Sequence, residues 1–258
     1  MVVSLGRNSC FSEALHENVL HYELPDCPKL SVTFTGKAGG MVVAEGMITG
    51  SAHGGRIELV AGDYQLSAET IDRADGYVTR QEGVKLISKV ADCATVLLVH
   101  PQSKTFGLAH AGWRGTCANA AENLVKTMCE NFSLPPGELQ ALVTPYADGQ
   151  EYYVGVKDVP GWINVYAEFQ KVFPPEVLKN IFVPHQSDER EAYLDIGLAL
   201  QYQLGRAGIL PENTTVSKFR TMSDDLFWSA RLQFPPEKFI QGVPRPPLKH
   251  NIMCAYMK

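Results

Sequence analysis

Thr105-Phe-Gly-Leu-Ala-His110 runs directly into Ala111-Gly-Trp-Arg-Gly-Thr116 and then into Ala118-Asn-Ala-Ala-Glu-Asn-Leu-Val-Lys-Thr-Met128. The first piece has the length and apolar content of a strand. The second is a glycine-rich turn. The third is rich in helix formers, with Thr116 placed to cap it. Upstream, Val84 to Val99 is mostly apolar and breaks near Ala91-Asp92-Cys93. Further strands are predicted at Leu30–Thr35, where β-branched residues alternate, at Met41–Ile48, Ile57–Val60 and Leu139–Val143, and around Val216. Lys37-Ala-Gly-Gly40 breaks the first of these, and Asp75-Gly-Tyr-Val-Thr79 reads as a turn into a short strand. Helices with apolar faces are predicted at Val165–Phe173 and Asp195–Ala207, and a Pro-rich irregular end from Gln233 to Pro247. Strands and helices mix without a strict βαβ rhythm. That predicts α+β, or a mixed-sheet α/β domain with its strands and helices in one piece over residues 1–258.

Composition narrows the function classes. The 258 residues are 45% apolar and 20% charged, the proportions of a globular chain with a real core. Lys plus Arg number 23 and Asp plus Glu 28, a net charge of −5. A protein that tracks a phosphate backbone needs a basic face, so no nucleic-acid partner is expected. A small anion needs only a local arginine. No apolar run approaches the roughly 20 residues of a membrane span, and the N-terminus lacks the apolar core of a signal peptide. The expectation is a cytoplasmic protein with no membrane partner. The six cysteines are scattered without a CxxC pair and read as free thiols.

The chemistry concentrates in Ala91-Asp-Cys93 and Ala109-His110-Ala-Gly-Trp-Arg-Gly115. Cys93 lies at a strand–loop boundary. His110 ends a strand and meets the turn that opens a helix. Free amides at such a helix start, around Gly115, can hold an anion, and Arg114 adds charge. An earlier histidine, in Ser51-Ala-His53-Gly54, precedes a strand in a similar way. Cys93 with His53 and His110 makes a three-ligand set for a catalytic zinc with an open fourth position. Spacings of 40 and 17 residues are no local zinc grammar. A buried thiol with two hydrogen-bonded histidines therefore stands as the alternative.

The string ADC…AHAGWRG, with the upstream HG and the intervening ADGYVT, resembles the bacterial laccase-domain family. The resemblance runs from about Val32 to Arg231 and is strongest from Ala74 to Met128. It implies a single layered α/β domain, a mixed β-sheet flanked by helices, like the catalytic domain of cytotoxic necrotizing factor toxins, which use a Cys–His pair to deamidate glutamine. It implies that His53, Cys93 and His110 are metal ligands. The family was first described as copper-dependent polyphenol oxidases and is associated with zinc-dependent purine nucleoside phosphorolysis and adenosine deamination. The implied partners are a purine nucleoside and phosphate, and the implied cofactor is one zinc ion, with copper the alternative. Tyr153-Val-Gly155, Leu194-Asp195 and Phe227-Trp-Ser-Ala-Arg231 match further elements, which makes Arg231 a second candidate cation.

The departures fall on the pocket wall. Lys37 stands where the family usually has arginine, keeping the charge for an anion but losing the planar fork. Ser51 stands where glutamine is usual. Only Met41 to Ala52 separate Gly40 from His53, a shortened segment, and Thr144-Pro-Tyr-Ala-Asp-Gly149 lacks the family's cysteine. The family's later Cys-Thr pair is Arg220-Thr221 here.

On this reading Arg114 orients phosphate and Asp92 is the nearest carboxylic acid for proton transfer, or else orients a ligand. Trp113 stacks on a purine or anchors packing. Three competitors remain, one of them a non-enzymatic metal-binding or interaction protein, which the shortened segment before His53 keeps open. A multicopper oxidase needs paired histidine motifs, and none of the seven histidines forms an HxH pair. A metal-free hydrolase would use Cys93 and His110 as nucleophile and base, leaving His53 without a task.

Overall fold

Ala94-Thr-Val-Leu-Leu-Val-His100 has no polar face because neither of its faces meets water. In the computed structural model it forms β9 (Ala94–His100), buried along its whole length. The structure describes residues 2–3, 10–37, 46–50, 53–60, 74–147, 149–234 and 247–258. Val96 and Leu98 pack toward a helical layer. Leu97 and Val99, one residue out of phase, pack toward a second sheet. Alternation sends successive side chains to opposite faces, so a strand buried on both reads as a continuous apolar run.

Among the described residues three sheets form. The central one has the order β15 (Thr214–Val216), β11 (Gln140–Val143), β9, β10 (Thr105–Ala111), β7 (Gly76–Thr79), β6 (Ile57–Leu59). Its pairings are antiparallel except β11–β15 and β6–β7, which are parallel. One face carries α2 (Ala120–Phe132) and α5 (Ile196–Arg206). Leu124, Val125 and Met128 of α2 and Leu200 and Leu204 of α5 join its core. The other face meets a seven-stranded sheet of order β1 (Val2–Val3), β2 (Ser12–His16), β3 (Val19–Glu23), β4 (Leu30–Thr35), β16 (Asn251–Met257), β8 (Lys85–Val90), β5 (Met47–Ile48). Leu20, Phe34, Leu86 and Met253 of that sheet fill the layer between the two. A small third sheet, β12 (Tyr153–Gly155), β14 (Glu191–Leu194), β13 (Phe182–Pro184), lies with α3 (Val165–Gln170) and α4 (Pro175–Ile181), and α6 (Ala230–Gln233) reaches it through Arg231, which donates to the Tyr153 carbonyl. The expected mixed sheet flanked by helices is thus present, with a second sheet as an additional layer.

Local differences from the expectations have physical causes. The helix after the glycine turn starts early: α1 (Trp113–Cys117) has Gly112 as its N-cap, and Thr116 lies inside it. Its hydroxyl donates to the Gly112 carbonyl at 3.0 Å instead of capping. The chain then turns at Asn119, whose left-handed φ of 57° separates α1 from α2. Asparagine tolerates that conformation better than most residues. Asp195 is the N-cap of α5 rather than its first residue, its carboxylate accepting from Leu198 N at 3.0 Å. The stretch Ala38–Gly40, residues 41–45 of the expected Met41–Ile48 strand, Ser51, Asp148 and most of the Pro-rich end lie outside the described residues; Met47–Ile48 is a strand.

Candidate metal centre

The β9–β10 register builds the site. Ala94 faces Ala111 and Thr95 faces His110 across the pair. Cys93, one residue before the strand, therefore meets Gly112, one residue after its partner. A Cβ on Gly112 would collide with Cys93 Sγ and stand 3.9 Å from His110 Nε2. Glycine is required there by the close approach of the thiol. On the other side of β10, His110 N donates to the Asp75 carbonyl at 2.8 Å, where β7 begins. His53 sits before β6 in a left-handed conformation, φ 56°. Its ring meets that of His110 edge-on, centroids 5.2 Å apart and planes at 79°.

Among the described residues, three imidazole nitrogens that are buried without partners mark the centre. His110 is buried, and neither ring nitrogen makes a hydrogen bond; His53 Nδ1 is likewise buried without a partner among the described residues. The Gly50 carbonyl lies close enough to His110 to favour its charged form slightly, but not in hydrogen-bond geometry. Buried polar atoms are normally satisfied, and each orphan costs about 1–3 kcal/mol. Burial, with His53 second, holds the His110 imidazole down at about 4. Burial also lowers His53, against the pull of Asp75. The Cys93 thiol is pushed up to about 12 by burial and by Asp92, with Arg114 opposing.

These values separate two chemistries. A thiol at about 12 beside an imidazole at about 4 is a neutral pair at pH 7, without the thiolate that a cysteine hydrolase uses. Two neutral imidazoles and a thiol are instead the donors of a borderline-soft divalent ion, whose charge deprotonates the thiol. Among the described residues, no three Cys, His, Asp or Glu side chains stand in closed coordination geometry. The fit to a metal rests on the orphaned nitrogens and the neighbouring thiol.

The buried His110 also predicts a pH dependence. Its folded value lies below the unfolded 6.5, so its neutral form is fully compatible with folding above that pH. As pH falls from about 6.5 through about 4 the unfolded chain takes a proton that the folded chain refuses. The metal-stripped protein is expected to lose about 3 kcal/mol over that window from this residue. Urea unfolding at pH 7 and pH 4 checks it; a His110→Phe variant showing the same loss would assign it elsewhere.

His53 and Cys93 open onto a cavity of about 330 Å³, a volume suited to a small organic ligand. Its walls include Trp113, Arg114, Tyr152, Ile196, Arg231 and Leu248. The Arg231 guanidinium lies 4.9 Å from the Tyr152 ring and 4.8 Å from Tyr153, and donates to the Tyr153 carbonyl at 3.0 Å. Arg114 is exposed, 4.2 Å over the Trp113 ring. Burial pushes the Tyr152 phenol up to about 12, with Cys93 adding to the rise and Arg231 opposing it.

Other candidates sit differently. Asp92 borders the cavity, but its carboxylate accepts from Thr221 Oγ1 at 2.7 Å, Ser229 Oγ at 3.0 Å and Arg231 N at 2.7 Å. It ties α6 to the β8–β9 turn, and φ 80° at Asp92 makes that turn. Lys37 is exposed, 5.6 Å over the Trp228 ring, and not on the cavity wall. Gly115 is buried within α1, where a Cβ would press on the His110 carbonyl at 3.1 Å. It lets the helix pack on β10. Sequence reasoning missed Asp75, whose carboxylate holds the His53 turn. The signal was the Asp-Gly before β7, read only as a turn. Tyr152, also on the cavity wall, carried no such signal.

The fold and site define a layered α+β protein with a Cys–His–His cluster beside an arginine-rimmed cavity. The chain belongs to the family described as multi-copper polyphenol oxidoreductase laccase, whose model matches residues 36–235. It is 26% identical over 210 residues to Purine nucleoside phosphorylase RC0672 of Rickettsia conorii, covering 81% of this chain and 76% of that one. It is also 26% identical over 162 residues to Adenosine deaminase RL5 from an unknown prokaryotic organism, covering 62% and 58%. The chain spans about a third of the length of two other curated relatives, 34% and 32%. The crystal structure of YlmD from Geobacillus stearothermophilus shares the fold, with a TM-score of 0.74 at 20% identity over 97% of this chain and 99% of that one. Among the described residues no helix is long and apolar enough to cross a membrane.

Proposed function

We propose that this protein is a zinc-dependent purine nucleoside phosphorylase, with adenosine deamination at the same centre. The observation that carries the metal reading is the set of orphaned imidazole nitrogens on His110 and His53, beside Cys93. The names of the relatives supply the substrate class. His53, Cys93 and His110 would hold the ion, which when bound supplies Lewis acidity beside the cavity.

The chain's own residues supply the rest. Arg231 and Arg114 are the cavity's cations and orient phosphate against the ribose C1′. Phosphate oxygen bonds to C1′ as the C1′–N9 bond breaks, and the purine leaves with the bonding pair and a proton. The Tyr152 phenol on the cavity wall is un-ionised at neutral pH and burial makes it a weaker acid still, so it serves as a hydrogen-bond donor to the departing base, whose proton comes from the incoming hydrogen phosphate. Asp92 acts through Arg231, since three donors already occupy its carboxylate. Ile196 and Leu248 contribute apolar wall to the cavity. All six cysteines are free thiols, which suits a reducing compartment.

The test is product analysis of metal-replete protein with adenosine and inosine, with and without phosphate, beside a Cys93→Ala control. Phosphate-dependent release of free base, absent in the control, is the expected result. Inosine formed from adenosine without phosphate marks the deaminase branch. Turnover of neither nucleoside overturns the reading.

A further inference from the structure

Asp75 is fully buried, and the neighbouring Arg56 guanidinium pairs with Glu58 rather than with it. A buried carboxylate needs compensation, and here backbone amides provide it. Oδ1 accepts from His53 N at 2.7 Å, and Oδ2 accepts from Gly54 N at 2.8 Å and Arg56 N at 3.2 Å. The main chain of the same residue reaches the second histidine, its carbonyl accepting from His110 N at 2.8 Å. One residue therefore holds both imidazole-bearing segments, one by its side chain and one by its backbone.

The turn it holds is strained. His53 has φ 56° and Gly55 has φ 69°. Left-handed histidine is uncommon and persists where surrounding contacts enforce it. Three amides converging on one carboxylate are such contacts. The arrangement also places a carboxylate behind the two imidazole-bearing segments. Its charge favours a cation between them, in the way carboxylates behind metal-ligating histidines do, but it acts here through the histidine's backbone.

We infer that Asp75 is the positioning residue of the centre: its carboxylate clamps the His53 turn into the geometry that presents both histidines to one divalent cation. This rests on the reading of His53, Cys93 and His110 as metal ligands. Asp75→Asn keeps the size but removes the charge and turns one acceptor into a donor facing an amide.

The experiment is zinc affinity of the full chain by competition with a chromophoric chelator, together with amide hydrogen exchange of the metal-free parent. Asp75→Asn is expected to bind zinc about 10- to 100-fold more weakly. In a His53→Ala background the same substitution is expected to have little further effect, because the residue acts through His53. In the metal-free parent the His53 and Gly54 amides are expected to be protected. That measurement stands if Asp75→Asn fails to fold. Unchanged affinity in Asp75→Asn, equal losses with and without His53, or amides exchanging as if free would each overturn the inference while leaving the metal centre intact. A parent that takes up no zinc would overturn the metal centre, and this inference with it.

Discussion

His110→Phe is expected to lower turnover about 10³-fold while leaving the metal-stripped protein about as stable as the parent at pH 7. The two effects have one cause. His110 is buried with both ring nitrogens unpaired, a cost of about 1–3 kcal/mol for each unsatisfied group. Phenylalanine removes both and introduces a ring about one atom larger, for which overpacking costs about 1–3 kcal/mol. The terms offset, and the small clearance around Gly112 decides the sign. Turnover depends on a different balance. If His53, Cys93 and His110 hold the ion as proposed, losing one of the three would remove several kcal/mol of charge stabilisation in the transition state, about 10³-fold in rate. Thermal unfolding in chelator and phosphate-dependent release of free base measure the pair. A variant that unfolds far below the parent would show that the ring nitrogens had partners after all; one that turns over normally would remove His110 from the centre. Residues that cost stability in the empty fold are expected where they serve a ligand.

The same contrast explains what could be read from the sequence. β9 and β10 were legible because burial on both faces writes a continuous apolar run, and the glycine turn after them carries its own signature. Their antiparallel register, which was not legible in the sequence, fixes Cys93 against Gly112 and so makes the thiol a neighbour of His110. β16 was not legible either. Asn251-Ile-Met-Cys-Ala-Tyr-Met257 follows a Pro-rich stretch and looks like its tail, yet it pairs with β4 and β8 in the middle of a sheet. A strand's rank within a sheet is a long-range property that no window of sequence contains. The β2–β3 hairpin was equally quiet, because Glu17 and Asn18 take its two positive-φ positions where Asn-Gly would have signalled a turn. Asp75 failed for a further reason: its bonds run backwards over 19 to 22 residues to a turn that only the folded sheet brings near.

Asp92 gives the second large effect, and it distinguishes positioning from proton transfer. Asp92→Ala is expected to destabilise the protein by about 3–5 kcal/mol. Three donors, Thr221 Oγ1, Ser229 Oγ and Arg231 N, lose a buried charged acceptor, and hydrogen bonds to charged groups are worth about 1.5–3 kcal/mol each without adding fully. Alanine also takes φ 80° less readily than aspartate does. Asp92→Asn is the sharper probe. It keeps the turn and the volume but presents an amine where one of the three donors expects an acceptor. Ser229 caps α6 through Leu232 N and Arg231 follows it, so loosening this bond lets the guanidinium leave its place beside Tyr152 and Tyr153. The expected signature is a rise of about tenfold or more in the KM for phosphate, a smaller fall in kcat, and a pH profile of kcat that keeps its shape. A residue that itself delivers the proton would give the opposite split, with kcat falling about 10²-fold or more and the acidic-group limb of the profile lost. That second pattern, with unchanged stability, would return Asp92 to the chemistry and leave Arg231 to be held by the Tyr153 carbonyl alone.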